Sequence, residues 1–120
     1  MTRFSLLLTS NSFASQSAAS ALQFAKAAIA LGHQIDHIFF YQDAVLLASA
    51  LQDLPADEPD IAALMADFCQ QQNIALLFCV TAADKRGIVS NEIPARDGFI
   101  AAGLAEFAMR QDNVDKLVQF

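Results

Sequence analysis

Basic residues are scarce in this 120-residue chain, with seven Lys and Arg against thirteen Asp and Glu and a formal net charge of −6. They are scattered as Arg3, Lys26, Lys85, Arg86, Arg96, Arg110 and Lys116, and only Lys85 and Arg86 are adjacent. No basic stripe exists to follow a phosphate backbone, so direct nucleic-acid binding is not expected. Glycine is missing where a nucleotide would need it. The segment from Thr9 to Ala30 contains none, and glycines are what let backbone N–H groups approach phosphate. A P-loop is excluded, and a flavin-phosphate loop is not expected. The first apolar run ends Leu8-Thr9-Ser10, without the Asp that a phospho-accepting receiver domain places there.

Long apolar runs are missing too. Nothing approaches the roughly 20 residues of a membrane span, and the run within Met1–Thr9 is too short for a secretory signal. The default compartment is the cytosol, where thiols stay reduced. Cysteine is limited to Cys69 and Cys79, and a structural disulfide is not expected there. What the chain does have is apolar bulk: 55% hydrophobic residues against 17% charged. That composition folds, and the length suits a single domain over residues 1–120. It also leaves more apolar surface than one small globule hides, so an oligomer is expected.

Along the chain, Arg3–Thr9 reads as a buried strand and 10–17 as a polar loop whose serines suit a helix start. Ala18–Leu31 reads as a helix, with Leu22, Ala25, Ala28 and Ile29 on its apolar stripe and Gly32 as its stop. Gln34–Tyr41 is a second strand, and Ala44–Leu51 is too apolar for a surface loop and reads as a short helix. Pro55 and Pro59 mark a break. Asp57, Glu58 and Asp60 then suit the N-terminus of a helix running to Gln72, whose apolar face carries Ile61, Leu64, Met65, Phe68 and Cys69. Ala75–Val80 is a third strand, 81–96 is irregular, Gly98–Met109 is a last helix and Val114–Gln119 a last strand. The alternation predicts an α/β fold with a mainly parallel sheet covered on both faces.

Such sheets place ligands beyond the carboxyl ends of their strands. Three segments qualify: the loop after the first strand, the residues after Tyr41, and Cys79 to Gly87. Cys79 lies at the end of its strand with Lys85 and Arg86 close behind. Nearby positive charge, with any helix N-terminus there, favours the thiolate, the form that attacks a sulfane sulfur. A cysteine in an apolar strand is by itself more often inert core. Cys69, on the apolar face of its helix, is read that way. His33 and His37 have no second ligand at metal spacing and there is no C-x-x-C, so no metal site is expected. A Cys–His pair stays open, although His37 reads as a structural residue. Tyr41 and Asp43 are placed to border the same crevice as Cys79.

Several stretches share an order and spacing with a known family. They are Arg3-Phe4, Ala21–Ala25 (ALQFA), Gly32-His33, Phe39–Tyr41 (FFY), Cys79-Val80, Arg86–Val89 (RGIV), Gly98-Phe99, Gly103-Leu104 and Val118–Phe120 (VQF). With these the chain resembles the DsrE/TusD family of small sulfur-relay proteins, most closely its TusD branch. The resemblance implies a three-layer α/β/α sandwich of the DsrEFH kind. It also implies a hetero-hexamer with two smaller related subunits, and a persulfide on Cys79. Sulfur would come from a small upstream carrier protein and pass to a downstream one, ending in the 2-thiouridine of tRNA wobble positions. In the DsrE branch the same machinery serves oxidation of stored sulfur. The chemistry is nucleophilic transfer at sulfur and needs no metal or organic cofactor. In this reading Lys85 and Arg86 stabilise the thiolate or steer an acidic partner. Two intervals depart from the family pattern: 87–98, which is shorter, and 43–59. Two rivals stand beside the relay reading. One is a scaffold subunit with an incidental, buried Cys79. The other is a flavodoxin-like small-molecule binder, against which the missing glycines count.

Overall fold

A computed structural model describes all residues, 1–120. The elements are β1 (Arg3–Leu8), α1 (Ser17–Ala30), β2 (Gln34–Phe40), a 3₁₀ segment (Gln42–Ala48), α2 (Ile61–Gln72) and β3 (Ala75–Cys79). They continue with α3 (Val80–Lys85), β4 (Ile100–Ala102), α4 (Leu104–Arg110), a 3₁₀ turn (Gln111–Asn113) and β5 (Lys116–Gln119). The five strands form one sheet in the order β4-β3-β2-β1-β5. All four strand pairings are parallel.

Register divides the sheet into two faces. Leu6 and Leu8 align with Ile38 and Phe40, which align with Leu76 and Phe78. These six are at most 2% exposed, and α1 and α2 pack over them. Burying each of the two phenylalanines contributes about 2–3 kcal/mol. On the opposite face Ser5, His37, Phe39 and Leu77 share the register. There α4 lays Phe107 on Phe39 at 4.6 Å between centroids and edge-on to His37 at 5.6 Å. Helices thus cover both faces, giving the three-layer sandwich. The apolar first 3₁₀ segment is buried, with Ala44, Val45, Leu47 and Ala48 at 0% exposure.

Three of the four α-helices, α1 to α3, end in the same way. In α1 the Gly32 N–H bonds to the Ile29 carbonyl and the His33 N–H to the Ala28 carbonyl, with Gly32 at φ +88°. This is the Schellman arrangement, which satisfies carbonyls the helix leaves over and needs a residue that tolerates positive φ. Asn73 does the same for α2, and Gly87 for α3. At the other end of α2, the Asp60 side chain accepts the Ala63 N–H at 3.2 Å. It also takes Arg96 as an ion-pair partner, which ties the 87–98 segment to the helix.

Three boundaries and one buried face differ from the sequence reading. The stretch 81–96 is not wholly irregular, because its start forms α3. The segment expected as one helix over 98–109 is split. Ile100–Ala102 pairs with Leu77–Cys79 as β4, and the helix starts only at Leu104. Pairing with an otherwise open strand edge satisfies backbone groups that the short apolar run could have used in a helix. Strand three ends at Cys79 rather than Val80. In α2 the buried residues are Ala62, Met65 and Cys69, while Leu64 is 48% exposed. No helix is long and apolar enough to cross a membrane.

Candidate active site

Cys79 closes β3, pairs in register with Ala102 of β4, and is the N-cap residue of α3. The positive end of that six-residue helix therefore starts at the cysteine. The residue is 2% exposed and lies at the floor of a cleft of about 480 Å³. β2 supplies one wall through the residues that follow it, Tyr41 and Gln42. The opposite wall is α3, with Thr81, Ala82, Lys85 and Arg86, and Leu104 at the start of α4 completes the lining. Tyr41 is held from behind: its N–H bonds to the Leu8 carbonyl at 2.9 Å, and its ring stacks on Phe39. Gln42 sits at φ +51°, a left-handed conformation that costs a non-glycine residue about 1 kcal/mol.

The two cations of the cleft are not equivalent. Arg86 donates from Nε and Nη2 to Asp43 Oδ1 at 3.0 and 2.9 Å, and from Nη1 to the Ala82 carbonyl at 3.0 Å. Its charge is shared with a carboxylate, and its guanidinium closes the C-terminal turn of α3. Lys85 has no ion-pair partner and is the cleft's free cation.

Of the three carboxyl-edge segments, the structure brings together the second and third. The loop after β1 lines a separate cavity of about 250 Å³ with Gln52, Glu58 and Asp60, and that cavity shares no residue with the Cys79 cleft. Cys69 points elsewhere again, into the packing of α2, at a cavity that also holds Asp97. Desolvation pushes its thiol up to about 12.

Neither histidine reaches Cys79. His33 Nδ1 accepts the Thr2 N–H at 3.0 Å. His37 aligns with Ala75 at the far end of β3, four residues and about 13 Å from Cys79. It is 0% exposed, with Nδ1 2.8 Å from Asp36 Oδ2 and Nε2 3.1 Å from Gln111 Nε2. Burial lowers its basicity below the ordinary histidine value, partly opposed by Asp36. No three His, Cys, Asp or Glu side chains gather as a metal-binding group. Sequence reasoning missed Gln42, Thr81 and Leu104 as lining residues and the Asp43–Arg86 pair. Leu104 reaches the cleft only because β4 intervenes before α4.

The DsrE/DsrF-like family model matches residues 3–120. The chain belongs to that family. Three relatives, each named sulfurtransferase TusD, align over nearly the whole of both chains. The protein from Erwinia tasmaniensis is 38% identical over 98% of this chain and 99% of its own. Those from Serratia proteamaculans and Pectobacterium atrosepticum are 36% and 35% identical, with both chains covered completely. Among solved structures, the ychN protein from E. coli superposes with a TM-score of 0.83 at 25% identity, covering 100% of each chain. MTH1491 from Methanobacterium thermoautotrophicum, a protein of unknown function, gives 0.73 at 9% identity over 100% of each chain, a likeness of fold alone. The DsrE/DsrF-like fold thus extends over the sheet and the strand ends that form the cleft.

Proposed function

We propose that this DsrE/DsrF-like chain is a sulfurtransferase of a sulfur relay, carrying sulfur as a persulfide on Cys79. The observation that carries the reading is the position of Cys79, at the floor of a carboxyl-edge cleft beside the free Lys85. The full-length likeness to proteins named sulfurtransferase TusD supports it.

Two exchanges make up the relay. The Cys79 thiolate attacks the terminal sulfur of a donor persulfide. A new S–S bond forms on Cys79, the donor's S–S bond breaks, and the donor thiolate leaves with the electron pair. An acceptor thiolate then attacks the terminal sulfur on Cys79, and Cys79 leaves as the thiolate. Lys85 stabilises the anionic sulfur in both steps and draws in an acidic partner. Arg86 contributes through its neighbours, its charge being shared with Asp43. No metal or organic cofactor takes part.

The relay is cytoplasmic, where thiols stay reduced, and residues 1–120 act in it as one unit. Its partners are two smaller related subunits in a hetero-hexamer, a small upstream donor and a downstream acceptor protein. The sulfur is destined for tRNA wobble 2-thiouridine. The chain itself need not touch tRNA, in keeping with its net charge of −6. The alternative destination, oxidation of stored sulfur, uses the same exchanges and differs only in donor and acceptor. The rival scaffold reading draws on the 2% exposure of Cys79. Incubation with a cysteine desulfurase, cysteine and a small sulfur-carrier protein separates the two. The relay reading expects a reductant-labile sulfur atom in the intact mass, absent from Cys79→Ser. No added sulfur, with the related subunits present, favours the scaffold.

A further inference from the structure

The proposed reaction uses Cys79 and Lys85, which leaves unexplained why a second cation in the same cleft is tied to a carboxylate. Asp43 is 60% exposed and could lie in solvent, yet its Oδ1 takes two of the Arg86 donors. The third Arg86 contact, to the Ala82 carbonyl, holds the guanidinium against α3, on the cleft that Cys79 also lines. Asp43 is fixed in turn. It is the second residue of the 3₁₀ segment, directly after Gln42, whose left-handed φ of +51° turns the chain there. The buried residues behind it anchor that segment. The pair therefore bridges the two walls of the cleft, the turn after β2 and the C-terminal end of α3.

The geometry points to Asp43 as a positioning residue for the Cys79 cleft: it grips Arg86, cancels its charge, and leaves Lys85 as the one cation free to act on the sulfur. The inference rests on the relay reading for its purpose, but its physical content does not depend on sulfur transfer. The charged and titratable groups around the cleft are few. The turn after β2 offers Tyr41 and Asp43, α3 offers Lys85 and Arg86 with Asp84 beside them, and β4 offers none. The nearest acid of α4, Glu106, is paired with Arg110. An unpaired Arg86 would add a second full positive charge to the lining of the cleft that holds the cysteine. That would hold more of the thiol as thiolate while lowering the intrinsic nucleophilicity of that thiolate. Asp43 offsets one of the two cations that line the cleft and holds its two walls together.

The test is the pH profile of Cys79 alkylation by iodoacetamide, with the modified peptide identified by mass. It is run on the intact protein and on Asp43→Asn, Asp43→Ser, Arg86→Gln and the double variant Asp43→Asn/Arg86→Gln. Freeing Arg86 shifts the alkylation midpoint to lower pH by about half a unit in both Asp43 variants, as expected for one added charge in a partly solvated cleft. Adding Arg86→Gln removes that shift, because no guanidinium is left to release. A purely structural role for Asp43 would not give a shift cancelled by removing its partner. The inference is overturned if both Asp43 variants keep the original midpoint, or if the shift survives in the double variant. Sulfur loading on Cys79, measured separately on the unaltered chain, tests the relay reading, so the two can fail independently.

Discussion

Cys79 and Cys69 are equally hidden, at 2% exposure each, yet they sit in opposite surroundings. Cys69 is part of the buried stripe of α2, and desolvation raises its thiol to about 12. Cys79 is the last residue of a central-sheet strand, at the floor of a cleft with an unpaired lysine. Burial therefore does not tell the two thiols apart. Position on the sheet does, because the carboxyl ends of parallel strands are where side chains from different elements meet solvent. Lys85 and Arg86 line the cleft together with the thiol that the topology has placed there.

The comparison breaks most readily by chemical labelling. At pH 9 only about 0.1% of a thiol titrating near 12 is ionised. Iodoacetamide is expected to modify Cys79 at least about 100-fold faster than Cys69 in the native protein, read by peptide mass. Comparable rates would erase the distinction. A smaller effect separates the two in stability. Cys69→Ala removes a buried sulfur and is expected to cost about 1–2 kcal/mol in urea unfolding, while sulfur loading persists in the folded protein. A loss of loading at unchanged stability would give Cys69 a chemical role. Next comes Lys85→Ala. Loading from an acidic carrier protein is expected to slow about three- to tenfold and to become less sensitive to salt. An unchanged rate and salt profile would remove Lys85 from the site.

The smallest effect concerns His37, the buried titratable group on the other side of the comparison. Its folded-state value lies below the ordinary 6.5, chiefly through desolvation. The unfolded chain therefore binds a proton at a pH where the native state does not. The resulting stability is fully present above pH 6.5 and is lost as pH falls from there through the folded-state value. Thermal melts between pH 7.5 and 5 should show a decline that is reduced in His37→Gln. An identical pH slope in that variant would assign the decline to other groups.

Much of this architecture is legible in the sequence where elements are long. Leu6, Leu8, Ile38 and Phe40 announce strands buried on a covered face. The Ala-rich stripe from Ala18 to Ala28 announces a helix packed close to the sheet, and Gly32 its stop. Short elements are not legible in the same way. Six residues of α3 give too little periodicity to separate from a loop, although Gly87 behind Lys85 and Arg86 is a helix-stop signal. Phe99–Ala102 continues smoothly into Leu104 and Phe107 at helical spacing. Only pairing with β3 reveals Ile100–Ala102 as a strand. The cleft was half visible for the same reason. Cys79, Lys85 and Arg86 are neighbours in sequence, and Tyr41 follows from topology. Asp43 grips Arg86 across 43 residues, and Leu104 arrives by way of β4. Contacts that depend on how elements pack leave no local trace.

The most direct test of the central claim is a site-resolved map of persulfide on the unaltered chain after loading by a cysteine desulfurase and a small sulfur carrier. One reductant-labile sulfur atom is expected on the peptide carrying Cys79 and none on the peptide carrying Cys69. Sulfur on Cys69, or on neither peptide when the related subunits are present, would contradict it.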